Sequence, residues 1–146
     1  MLALGRLLGA HASLTRELSA QLVEKHGLTL TEYEVLVLLA RAPERAMRRV
    51  DLAHEVRLSP SGVTRLLDRL GAAGLVGNRE CETDARVSYA QLTAAGVKKL
   101  ERCAPDQVAA VERLLGDRFD DDELGSLAEL LGRLSAPGDD DCQPTS

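Results

Sequence analysis

The chain has 146 residues, 45% hydrophobic and 28% charged, with a net charge of −5, which is length enough for one domain with a sizeable core. Aromatic residues make up only 2%, Tyr33, Tyr89 and Phe119; this argues against a single-strand binder that stacks bases on rings and leaves Leu, Val and Ala to form a core of packed helices. The charge is uneven: residues 45–100 hold ten Lys and Arg against six Asp and Glu, a net +4, and the rest of the chain carries −9, so a basic middle able to meet a polyanion lies between acidic ends.

In chain order, residues 2–25 place Leu4, Leu7, Leu8, Leu14, Leu18 and Leu22 at helical spacing, with Gly27 as the stop. The opening MLALGRLLGAHA is apolar, but it lacks a basic leader and Arg6 interrupts it. The helical pattern runs on through it, so it reads as a folded helix and not a signal peptide. No run is long enough to span a bilayer. In LTLTEYEVLVLLARAP, Thr31 and Glu34 are expected to form a capping box. Val35, Leu36, Leu38 and Leu39 give the buried face, and Pro43 closes the segment. RRVDLAHEVRL is a short helix with Val50, Leu52, Ala53 and Val56 inward.

The next helix has the strongest pattern. In SPSGVTRLLDRLGAAGL, Ser59 is a good N-cap, Pro60 suits the first helical position, and Gly74 suits the stop. Val63, Leu66, Leu67 and Leu70 form one stripe, and Ser61, Gly62, Thr64, Arg65, Asp68 and Arg69 form the opposite face. Such a face, taken alone, is what any solvated helix presents; its neighbours decide its meaning. LVGNRE and RVSYAQL follow as short strands around the turn-prone CETDA, a hairpin with a loop. Thr93 can cap a helix with the stripe Val97, Leu100, Ala104, Val108, Val111 and Leu115, expected to bend at Pro105. The last helix starts in an Asp-rich turn that complements its dipole and carries Leu124, Leu127, Leu130, Leu131 and Leu134. Residues 137–146 read as a disordered tail.

Two short helices joined by a tight turn, then a hairpin, is the order of a helix-turn-helix with a wing. The predicted fold is mainly α (α+β). A winged helix-turn-helix with a two-stranded wing spans 29–92, helices at 1–25 and 94–134 flank it, and all lie in one domain over 1–136. The major groove admits one helix, and short polar and Arg side chains can read base edges there. That gives Ser61, Thr64, Arg65 and Arg69 a purpose, with Gly62 allowing close backbone approach. Arg65 can take a guanine bidentately or, equally well, contact a phosphate.

The segment RVDLAHEVRLSPSGVTRLLDRLGAAGLVGNRECETDARVSYAQLTAAG resembles the winged helix of the MarR family of bacterial transcriptional regulators. The similar pieces are DLA, SPSGVTRLLDRL, GLV followed by Arg79, and DAR followed by LTAAG. Gly77, Asn78 and Ala90 depart from the family pattern without removing a DNA-contact position. The resemblance implies that Asp84 holds the wing loop, that Arg86 reaches a minor groove or phosphates, and that Arg79 anchors its strand near the DNA backbone. It implies a homodimer through 1–25 and 94–134, whose Leu stripes a lone winged helix would leave exposed. It also implies a pseudo-palindromic double-stranded operator, and a cytoplasmic repressor released by a small anionic aromatic effector. His11, Arg16 and Tyr33 are the candidates for lining such an effector crevice.

Cys81, Cys103 and Cys142 are an odd number at wide spacing, neither a disulfide framework nor a metal motif, which fits a reducing compartment. Redox sensing in the family's peroxide branch uses a first-helix Cys, which this chain lacks; Cys81 falls in the wing and Cys103 is expected to be buried. His54 with Cys81 and Cys142 has no ligand-like spacing. Neither a metal nor another cofactor is expected. With no nucleophile elbow, Gly-rich phosphate loop or HExxH, an enzyme is not expected. The rival reading is a winged helix used only to bind other proteins, which predicts a neutral or acidic outward face.

Overall fold

Gly27 ends α1 (Leu2–His26) where the sequence puts the stop, in the left-handed region at φ 66°. The computed structural model describes residues 1–80 and 86–134. α2 (Leu30–Arg41) follows, with one correction. Its capping box is Thr29 and Glu32, not Thr31 and Glu34: the Thr29 hydroxyl accepts from the Glu32 amide at 3.2 Å, and the Glu32 carboxylate accepts from the Thr29 amide at 2.8 Å. Starting two residues earlier lets Leu28, just before the cap, enter the core that Tyr33 also packs against, the arrangement of a hydrophobic staple.

After Pro43 the chain makes a tight turn with Glu44 and Arg45 both at positive φ. It then forms a strand that the sequence did not disclose, β1 (Ala46–Arg48). α3 (Arg49–Glu55) and α4 (Pro60–Ala72) come next, then β2 (Val76–Glu80) and β3 (Ser88–Leu92). The expected hairpin of β2 and β3 is present, with Val76 opposite Leu92 and Glu80 opposite Ser88. β1 adds to its other side, Ala46 opposite Gln91 and Arg48 opposite Tyr89, so the sheet is three-stranded and antiparallel in the order β1-β3-β2.

The core is the one the apolar stripes imply. Leu28, Val35, Leu36, Leu39, Leu52, Val63, Leu66, Leu67, Leu70, Val76 and Leu92 are all buried in one cluster. Val50 is the exception in α3: expected inward, it is 69% exposed. α5 (Ala94–Val111) is continuous through Pro105. Its buried line is Gly96, Cys103, Gln107 and Ala110, with Leu100 partly buried. Ala104, Val108 and Val111 from the expected stripe lie one position further round and are exposed.

The chain divides into two compact units, the first Met1–Gln107 and the second beginning at Val108. The second holds the end of α5, a π-type turn at Glu112–Gly116 and α6 (Asp121–Gly132). Asp120 caps α6 reciprocally with Glu123. Leu130, Leu131 and Leu134, expected on an apolar stripe, are exposed. The tail at 137–146 lies outside the described residues. Among those described, no helix is long and apolar enough to cross a membrane.

Candidate nucleic-acid interface

α3 and α4 are joined by a turn tight enough to put Arg57 at φ 54°, with the Leu58 amide returning to the Ala53 carbonyl at 3.0 Å. Ser59 caps α4 as expected, its hydroxyl accepting from the Gly62 amide at 3.1 Å, and Pro60 occupies the first turn. Val63, Leu66, Leu67 and Leu70 are all buried. That stripe fixes the rotation of α4, so Ser61, Thr64, Arg65, Asp68 and Arg69 must face solvent, and they do.

On that face the side chains are in different states. The Ser61 and Ser59 hydroxyls pair at 3.1 Å, and the Thr64 hydroxyl donates to the Pro60 carbonyl at 2.9 Å. Both therefore sit close to the helix, with acceptor capacity and, for Thr64, a methyl group left over. Gly62 is half-buried, and a Cβ there would lie 3.2 Å from the Ser59 hydroxyl, so glycine accommodates the cap. Among the described residues, Arg65 has no ion-pair partner. Arg69 forms an ion pair with Glu32, its Nε 2.9 Å from the carboxylate.

The far end of α4 is locked to α5. The Thr93 hydroxyl accepts from the Gly96 amide at 3.0 Å, the cap expected there, and lies 2.7 Å from the Gly74 carbonyl, to which it can donate. The Thr93 amide donates to the Leu75 carbonyl at 3.1 Å. In the wing, Arg79 lies 5.6 Å over the Tyr89 ring and pairs with Glu44 at 2.5 Å. Arg49, at the start of α3, donates to the Asn78 side chain at 2.7 Å, tying the helix-turn-helix to β2. Arg86 is exposed at the return of the wing, two residues before β3. Asp84, expected to hold the loop, lies outside the described residues, as do Cys81 and Cys142.

Thus α4 brings Ser61, Gly62, Thr64, Arg65 and Arg69 onto one helix surface, and Arg79 and Arg86 stand on the hairpin. Sequence reasoning missed Glu32, Glu44 and Arg49. Each acts through a partner remote in the chain, and only the Thr-x-x-Glu spacing hinted at Glu32. The three effector candidates are not brought together. His11 and Arg16 line an open groove of about 710 Å³ along α1 with Thr15, Ser19 and Val23. Tyr33 lines a separate cleft of about 260 Å³ with Val37, Leu38, Val56 and Arg57. Burial pushes the Tyr33 phenol above its ordinary pKa, and the neighbouring Cys103 adds to this. Cys103 is fully buried, as expected. Burial raises its thiol as well, which keeps it protonated and unreactive at neutral pH.

A capped helix-turn-helix whose second helix shows a polar-basic face, followed by a hairpin, defines a winged helix-turn-helix protein. The profile of the MarR family matches residues 26–87. The chain is 30% identical over 136 residues to the transcriptional regulator PecS of Dickeya dadantii, covering 92% of this chain and 80% of PecS. It is 28% identical to MhqR of Bacillus subtilis over 112 residues, 77% of this chain and 75% of MhqR. A MarR family transcriptional regulator from Streptomyces coelicolor, solved in complex with DNA, superposes with a TM-score of 0.84 at 31% identity, covering 91% of this chain and 83% of that one. The chain belongs to the MarR family of transcriptional regulators.

Proposed function

We propose that the protein is a sequence-specific, double-stranded DNA-binding transcriptional regulator whose α4 face enters the major groove, with Arg86 on the wing as a second contact. The observation that carries this is the rotation of α4: four buried apolar residues leave Ser61, Thr64, Arg65 and Arg69 outward, and the hairpin that follows carries Arg79 and Arg86. The Streptomyces coelicolor regulator that this chain resembles was solved with DNA, and a mutant MarR from E. coli, 26% identical with a TM-score of 0.79, was solved with operator DNA. Both support DNA over a protein-only role for the same fold. Arg79 acts from within its pairing with Glu44.

The regulator works as a cytoplasmic homodimer on a pseudo-palindromic operator. In support, Leu2, Leu4, Leu8 and Val23 on α1, Val108 and Val111 on α5, and Leu130, Leu131 and Leu134 in the α6 region are all exposed. Apolar surface of that extent is what a partner subunit covers. It acts as a repressor released by a small anionic aromatic effector, for which the groove along α1 offers the Arg16 guanidinium beside Ala12, Ala20 and Val23, with Glu24 also on its lining. Selection from a random duplex pool tests the DNA reading. The protein should enrich sequences with two related half-sites about 10 bp apart, bound ever more weakly as salt rises. A pool that stays random contradicts it.

A further inference from the structure

The Glu32 carboxylate has partners on two elements. One oxygen accepts the Thr29 amide at 2.8 Å and closes the cap of α2. The other forms an ion pair with Arg69 on the third turn of α4, with Nε 2.9 Å away. The Glu32 side chain is 9% exposed and that of Arg69 is 63% exposed. A nearly buried carboxylate, already fixed by the cap, therefore grips the inner edge of an arginine whose outer end lies in solvent on the helix proposed to meet DNA. Arg65, one turn earlier on the same helix, has no such hold among the described residues.

An arginine in water samples many rotamers, and holding one of them costs entropy. Glu32 has met that cost before DNA arrives. Engagement at Nε leaves the Nη1 and Nη2 ends of a planar fork to meet an anion bidentately. A fork held in one place attracts a phosphate in one register only, whereas a free one would follow a phosphate in many. We infer that Glu32 is a positioning residue that makes Arg69 a phosphate clamp of set geometry and sharpens discrimination between operator and other DNA. This rests on the DNA reading above and adds a residue to it.

The test is titration of Glu32→Gln, Arg69→Ala and the double variant against the selected operator and a scrambled duplex. Gln keeps an oxygen able to serve the cap and removes the charge, and thermal unfolding of each variant checks that the fold is intact. Glu32→Gln should bind scrambled DNA more tightly and the operator no more tightly. The ratio of the two affinities should fall about 3–10-fold, the scale of immobilising one long side chain. Arg69→Ala should also lower the ratio, and the double variant should match Arg69→Ala alone, because Glu32 acts only through Arg69. An unchanged ratio in Glu32→Gln would overturn the inference and leave Glu32 as a cap. An equal drop in the Arg69→Ala background would overturn it too. If Arg65→Ala reduces discrimination in either case, the DNA reading stands without it; a parent that does not discriminate at all sinks both.

Discussion

Gly96 has no room for a side chain. A Cβ there would lie 2.3 Å from the Leu75 carbonyl oxygen and 2.5 Å from Leu92 Cδ1, and a backbone oxygen cannot swing aside as a side-chain end can. Gly96→Ala should therefore destabilise the protein by about 1–3 kcal/mol, the usual cost of overpacking, measured as a lower urea midpoint with an unchanged slope. A midpoint equal to the parent's would mean that α5 slides freely against the end of α4. At this scale the sequence was legible where a pattern was strong and local. Ser59, Thr93 and the four apolar residues of α4 all do what their spacing implies. It misled where two local patterns overlapped: LTLTEYE holds two Thr-x-x-Glu boxes two residues apart, and burial of Leu28 decides between them. Glu32 with Arg69, and Glu44 with Arg79, could not be read at all, because tertiary folding alone brings each pair together.

Among elements, α1 is held to α5 at Asp106. Its carboxylate accepts Lys25 Nζ at 2.6 Å and pairs with His26 Nε2 at 2.9 Å, while Lys99 Nζ donates to the His26 carbonyl at 2.6 Å. The hydrogen bonds from Lys25 and then His26 hold the Asp106 carboxyl below its ordinary value of 3.8. A carboxyl lowered on folding contributes stability that is present above its unfolded pKa and is lost as pH falls through the folded one. Asp106→Asn should thus lower the urea midpoint at pH 7 and make less difference at pH 3, below the carboxyl's ordinary value of 3.8; an equal deficit at both values would show that the pair's charge is not what ties the helices. Element order was legible from hydrophobic period, turns and caps. β1 was not, since three residues carry no period and their pairing with β3 is non-local. Val97 and Leu100 of the expected α5 stripe pack against the core, but its continuation at Ala104, Val108 and Val111 is off by one position, because Gly96, Cys103 and Gln107 occupy the buried line. Those residue types do not announce a core.

For the whole molecule, the exposed apolar residues of α1, α5 and α6 make a prediction about assembly. Sedimentation at micromolar concentration should give a dimer, and a monomer would leave that surface unexplained. The net charge of −5 hid the basic reading head; it became legible only when charge was counted by segment. The central claim is that the outward face of α4 reads base sequence. Its most direct test is fluorescence-anisotropy titration of Arg65→Ala against the selected operator and its single-base variants at several salt concentrations. Loss of a bidentate base contact should cost about 1–3 kcal/mol per half-site and erase the preference at one base pair, while Arg86→Ala, run alongside, should weaken every duplex and flatten the salt slope. Parental affinity and parental base preference in Arg65→Ala would contradict the claim and make that face of α4 solvated surface.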